Sequence, residues 1–363
     1  MKNLIILATL IIATSCKQAS TEKKDEKTQL NTAADNSASN SSSLASNSKT
    51  RALSSNTLVQ SAPEGMGFYN VASDSVPSLV QEASKSVFRL AVPAGNKITV
   101  SQMFNGKTTE DAIAFINNLD GSKISKSDRL IYLFQLQQCL KNSTQVCTLF
   151  EGIEQGTGFL VDDGSKMYTA YHVIKSVATS QKLPIFIIGS NDEVIFSPND
   201  ISITVHSIGS PNATAGLNPN VQSKVQDIVL LQLSMKMGEP LKQAVDSLQS
   251  GSKVYMVGFP MPTTDRKKFG ALESDGVSKY VSQGHILSFE EVKNIAQKKF
   301  GGVQDILLNE LITNLVISSA DGAPGLSGAP TLNENGEYIG VYTSGAPQYE
   351  ASVDRLSYST PVR

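Results

Sequence analysis

Three short segments of this chain hold side chains of the types that nucleophilic catalysis needs. The first runs Gly156-Thr157-Gly158-Phe159-Leu160-Val161, turns at Asp162-Asp163-Gly164, and continues to Thr169-Ala170-Tyr171-His172-Val173. That is the pattern of a strand, a hairpin and a second strand ending in a histidine, the side chain whose ordinary pKa suits proton exchange near neutral pH. In the second segment Asp227 heads the apolar run Ile228-Val229-Leu230-Leu231-Gln232-Leu233. A carboxylate at the edge of a buried strand is costly unless paired, and accepting the ring N–H of His172 would satisfy it and fix the imidazole tautomer. The third segment is Gly325-Leu326-Ser327-Gly328-Ala329-Pro330. Glycines around a serine allow a tight turn, and the backbone N–H groups of Gly325 and Ser327 are candidates for an oxyanion hole.

Taken together, these groups describe acyl transfer. Ser327 attacks a carbonyl, His172 takes and returns the proton, and Asp227 orients the ring. Such a mechanism needs no cofactor and no metal. The elements that must position them read as an all-β domain. Short apolar runs bounded by Gly, Pro, Asn and Ser include Val87–Val92, Gly158–Val161, Ile228–Leu231, Val254–Val257 and Tyr338–Tyr342. One stretch breaks that texture. Thr108 precedes Glu110 and Asp111, Ser125 precedes Asp128 by three residues, and Leu130, Leu133, Phe134 and Leu140 recur at helical spacing. A helical insert over about 107–150 is therefore expected inside the β domain.

The three motifs, in the order His, Asp, Ser, resemble the trypsin/chymotrypsin-like serine protease superfamily, and within it bacterial proteases of the HtrA/Deg type. Further segments carry the same resemblance: Pro77-Ser78-Leu79-Val80 with Ser86–Leu90, Gly251–Val254 leading to Gly258-Phe259-Pro260, Gly284–Ser288, Asn335–Val341 and Leu356–Val362. The resemblance implies two six-stranded β-barrels with the site in the cleft between them, the helical insert belonging to the N-terminal barrel. It also implies a serine endopeptidase acting on proteins or peptides. An α/β-hydrolase elbow fits less well, because Ala329 stands where its second glycine belongs and its histidine comes last.

Several positions depart from the family pattern. Leu326 replaces Asn or Asp, Ala329 replaces a glycine, and Tyr171 stands where a small residue is common. The chain ends soon after Pro361, so no PDZ domain is expected. Asp321, six residues before Ser327, takes the position that forms the base of the primary specificity pocket in trypsin-like enzymes, where it would favour Arg or Lys. Tyr342 and Thr343 stand where glutamyl endopeptidases use a histidine. The rival reading is an inactive protease-fold binding lipoprotein, which Tyr171 or Leu326 would bring about by crowding the triad out of line.

The N-terminus reads as an address. Met1-Lys2-Asn3 precedes the apolar run Leu4–Ile12, too short to span a bilayer, and Ala13-Thr14-Ser15 leads to Cys16. This resembles a bacterial lipobox, with residues 1–15 as signal and Cys16 as the lipidated, membrane-anchoring residue. Residues 16–62, rich in Ser, Asn, Thr, Ala and Lys, read as a flexible tether, and 63–363 as the protease domain. The expected location is the bacterial cell envelope, with the outer membrane favoured because Lys17 is not the aspartate tied to inner-membrane retention. With 31 Lys and Arg against 33 Asp and Glu, nothing suggests a nucleic-acid partner. Cys139 and Cys147 either close a small disulfide loop or remain free thiols, and they make a poor zinc pair.

Overall fold

The computed structural model describes residues 68–121, 123–141, 146–177, 184–196, 203–207, 222, 225–245, 248–261, 278–300, 305–345 and 356–362. The expected signal, Cys16 and the expected tether lie outside them. Among the described residues no helix is long and apolar enough to cross a membrane.

Strands dominate, and every named strand pairs antiparallel with its neighbours. In the N-terminal half they are β2 (Val87–Thr99), β3 (Thr148–Val161), β4 (Lys166–Thr169), β5 (Phe186–Ile188), β6 (Val194–Phe196), β7 (Ile203–Ser207) and β8 (Val229–Leu233), in the order β6-β5-β2-β3-β4-β8-β7. The second sheet combines β1 (Phe68–Asn70), β9 (Lys253–Gly258), β10 (Tyr280–His285), β11 (Val316–Ser318), β12 (Pro330–Leu332), β13 (Tyr338–Gly345) and β14 (Ser357–Thr360), in the order β1-β10-β9-β12-β13-β14-β11. The expected all-β, chymotrypsin-like architecture is present, with a difference in detail. Each sheet has seven strands rather than six, and among the described residues neither closes on itself. In the second sheet the added strand is β1, which precedes the N-terminal sheet in sequence but pairs with β10, Phe68 opposite Ser282.

Alternation along β3 builds two cores at once. Gly156, Gly158 and Leu160 face the interior of the first sheet, where Leu160 packs with Leu90, Met167, Val173, Val229 and Leu231. Phe159 and Val161 face the other way, into a cluster shared with Tyr255, Val257, Val281, Leu332 and Val341 of the second sheet. Phe159 is fully buried, its ring 5.2 Å from that of Tyr338 and 5.8 Å from that of Tyr168. Burial of such a side chain is worth roughly 1.5–3 kcal/mol, so this seam holds the two halves in fixed relation.

Between β2 and β3 lie helices α2 (Val100–Met103), α3 (Thr109–Asn117) and α4 (Lys126–Lys141), α1 being the short helix Ser78–Ala83. Thr108 caps α3 through the Asp111 N–H at 3.2 Å, and Ser125 Oγ accepts the Asp128 N–H at 3.0 Å. A buried charge pins the insert to the sheet. Arg89, 1 % exposed, pairs with Asp192 at 2.5 Å, and Asp192 also accepts the Lys126 N–H at 2.6 Å and the Ser127 hydroxyl at 2.5 Å. The far end of α4 is tied down covalently, because Cys139 and Cys147 form a disulfide.

After β4 comes a single helical turn, α5 (Tyr171–Ile174), and the C-terminal half holds α6 (Phe289–Phe300) and α7 (Asp305–Asn314). These last two were not foreseen. Their signal was present: Ser288 caps α6 and Glu291 returns a carboxylate to the Ser288 N–H at 2.8 Å, a capping box.

Candidate active site

His172 is placed by the turn α5, which starts where β4 ends. The buried Ala170 leads into it, Val173 and Ile174 anchor it in the first core, and the imidazole is left 42 % exposed. Asp227, just ahead of β8, grips this turn at three points. Its carbonyl accepts the Tyr171 N–H at 3.3 Å, its Oδ1 accepts the His172 N–H at 2.9 Å, and its Oδ2 lies 2.6 Å from His172 Nδ1. A carboxylate only accepts, so the ring nitrogen facing it carries the proton and Nε2 is left as the acceptor. That is the tautomer a general base requires.

Ser327 sits in a loop between β11 and β12 that is fixed by its glycines. Gly325 and Gly328 have φ of +88° and +90°, and both are crowded: a Cβ on Gly325 would fall 2.3 Å from the Phe259 carbonyl, and one on Gly328 2.0 Å from that of Thr157. Neither position has room for a side chain. The Pro324 carbonyl accepts the Met261 N–H and the Leu326 carbonyl accepts the Ala329 N–H, each at 2.7 Å. In a trans peptide the N–H points opposite to its carbonyl, so the Gly325 and Ser327 N–H groups are turned the other way. Neither makes a hydrogen bond to any other described residue.

Two glycines bring this loop against the histidine turn. Gly156 lies between them: a Cβ there would stand 2.6 Å from the Val173 methyls and 3.0 Å from the Ser327 carbonyl oxygen. Gly328 approaches Ala170, whose nitrogen would lie 2.9 Å from its missing Cβ. The serine and histidine segments are thus packed through atoms adjoining the reactive side chains.

Thr157 organises the whole junction. It is fully buried, its N–H donates to the Ser327 carbonyl at 2.8 Å and its hydroxyl to the Gly325 carbonyl at 2.8 Å. The same hydroxyl accepts the Phe259 N–H at 3.3 Å, while the Thr157 carbonyl accepts the Thr169 hydroxyl at 2.8 Å. One residue thereby ties the Ser327 loop to β3, β4 and the segment after β9. In the sequence Thr157 is only the middle of a strand motif, since its partners lie up to 170 residues away.

A profile of the family described as "Trypsin-like peptidase domain" matches residues 156–341, slightly more than half the chain, and spans His172, Asp227 and Ser327. The chain belongs to the trypsin-like peptidase family. Among solved structures it is similar to the Rv3671c protease of M. tuberculosis in its active form, at 15 % identity and a TM-score of 0.38 over 79 % of this chain and 83 % of that one. The inactive form of the same protease aligns at 16 % identity and a TM-score of 0.34, over 58 % of this chain and 79 % of that one. No curated protein matches the sequence.

In this trypsin-like peptidase the three residues proposed for specificity are all buried. Asp321 is 3 % exposed, and its N–H donates to Ser282 Oγ at 2.6 Å. Tyr342 is buried among Leu326, Ala329, Ala320 and Met256, with its hydroxyl in the space that Gly322 leaves: a Cβ there would come within 2.1 Å of it. Burial pushes the Tyr342 phenol well above its usual pKa. Thr343 is also buried, donating to the Tyr358 carbonyl at 3.4 Å. Leu326 is fully buried in an apolar cluster with Tyr342, Ala329, Ala320 and Met256. Tyr171 remains partly exposed beside His172. Among the described residues no group of His, Cys, Asp and Glu is suited to a metal ion.

Proposed function

We propose that this chain is a serine endopeptidase that cleaves protein or peptide substrates through an acyl-enzyme on Ser327. The observation that carries the reading is the double grip of Asp227 on the backbone and ring of His172, next to a serine loop held by Gly156, Thr157 and Gly328. Ser327 Oγ attacks the substrate carbonyl while His172 Nε2 takes its proton. The oxyanion is received by the Gly325 and Ser327 N–H groups, and the imidazolium, stabilised by Asp227, protonates the departing amine. Water then repeats the sequence to release the acid.

Tyr342 supports a further element of the reading. With its phenol filling the space beside Gly322, next to Asp321, the site favours small uncharged residues on the acyl side over Arg or Lys. The lipobox-like N-terminus supports placement at the bacterial cell envelope, anchored through Cys16.

Digestion of a mixed peptide library by the full chain tests the activity, with cleavage products read by mass spectrometry. Cleavage that disappears in Ser327→Ala and His172→Ala is the expected result. Equal product patterns from wild type and Ser327→Ala would refute it. Incorporation of a palmitate analogue that is lost in Cys16→Ser tests the anchor.

A further inference from the structure

A carboxylate outside the triad stands beside the histidine without a use in the mechanism so far. Glu154 is two residues before Gly156 on β3, hence on the same face and about 7 Å along the strand. That face is the one whose Gly156 position touches Val173 and the Ser327 carbonyl. Opposite Glu154 in the ladder is Val92, fully buried in the core that also holds Val173 and Val177. Glu154 is therefore rooted at the mouth of an apolar interior, partly buried. Among the described residues its carboxylate has no hydrogen-bond or ion-pair partner. Burial lifts its pKa above the usual carboxylate value, and His172 is the one charge that opposes the shift.

A partly buried carboxylate with no partner is unfavourable for the folded state, and a cation brought by a ligand relieves that penalty. The position decides which part of a substrate supplies it. His172 delivers its proton to the departing amine, so the residues that follow the scissile bond lie on the imidazole side of the serine. We propose that Glu154 forms a subsite for a cationic side chain, Lys or Arg, within the first two residues after the scissile bond. The contact is a charge-assisted hydrogen bond, and the preference it confers is one of selection rather than of chemistry.

This inference rests on the protease reading, and the experiment separates the two. Peptides identical up to the scissile bond are compared with Lys or with norleucine at the two positions after it. Wild type is expected to favour the lysine peptides by about tenfold in kcat/KM, a ratio that shrinks with added salt. In Glu154→Gln the ratio falls towards one, and in Glu154→Lys glutamate peptides overtake lysine peptides. A wild-type ratio near one, a ratio insensitive to salt, or the same ratio in Glu154→Gln would each overturn the subsite. A fluorophosphonate, whose leaving group is fluoride and carries no residue, reports the nucleophile independently. Labelling with a flat ratio removes the subsite alone, whereas absence of both labelling and cleavage removes the protease reading and the subsite with it.

Discussion

Asp227 holds His172 by two bonds of different kinds, one to the backbone and one to the ring. Replacement by Asn keeps the shape but presents a donor where only an acceptor works, which turns the imidazole to the wrong tautomer. Asp227→Asn is accordingly expected to lower kcat on the order of 10⁴-fold with little change in KM, measured on any peptide the wild type cleaves. Thr157 makes a subtler prediction. Thr157→Val keeps the N–H bond to the Ser327 carbonyl and loses both hydroxyl bonds, the one donated to the Gly325 carbonyl and the one accepted from the Phe259 N–H. Loss of a buried hydrogen bond costs roughly 1 kcal/mol or more, and here it falls on a residue proposed as an oxyanion donor. A tenfold or greater drop in kcat with a near-wild-type thermal midpoint is expected. An equal loss of stability and activity would mark Thr157 as packing only. The pairing of Asp227 with His172 was legible in sequence because each residue sits in its own short motif. Thr157 was not, because its bonds to Gly325 and Phe259 exist only once distant strands meet.

At the scale of elements, one buried charge and one covalent tie add to the apolar packing that holds the insert. Arg89 has nearly no exposure, so removing Asp192 takes away the carboxylate that pairs with a buried guanidinium. Asp192→Ala is expected to destabilise the protein by about 3–5 kcal/mol, and Arg89→Met with Asp192→Leu by much less, in urea unfolding. Opening Cys139–Cys147 releases a short loop and is expected to cost about 2–3 kcal/mol in the same measurement. The insert was readable because Thr108 and Ser125 stand at helix starts that local chemistry dictates. Helix α6 carried a comparable cue in Ser288 and Glu291, but the surrounding strand-like runs drew that region into the β pattern. The extra strand β1 was beyond local reading, since nothing in Phe68-Tyr69-Asn70 indicates pairing with residues more than 200 positions later.

For the whole molecule, Lys279 lies where the two halves meet. Its ammonium donates to the Ser84 carbonyl and sits 5.6 Å from the centre of the Phe259 ring, while burial holds its pKa down to about 8 against an ordinary 10.5. Between those two values the unfolded chain holds a proton that the folded chain has released, so stability rises with pH across roughly 8 to 10.5. Lys279→Met is expected to flatten that rise in urea titrations at several pH values. An unchanged slope would exclude Lys279 as its source. The same seam carries Phe259, whose carbonyl closes on Gly325, so the packing between the halves and the shape of the Ser327 loop are set by shared residues.

Whether Ser327 is an activated nucleophile is tested most directly by reacting the full chain with a fluorophosphonate and locating the adduct by mass spectrometry. The expected result is one phosphonyl group on Ser327, formed much more slowly in Asp227→Asn and absent in Ser327→Ala. A folded wild type that gains no adduct, or gains it equally in Ser327→Ala, would contradict the assignment.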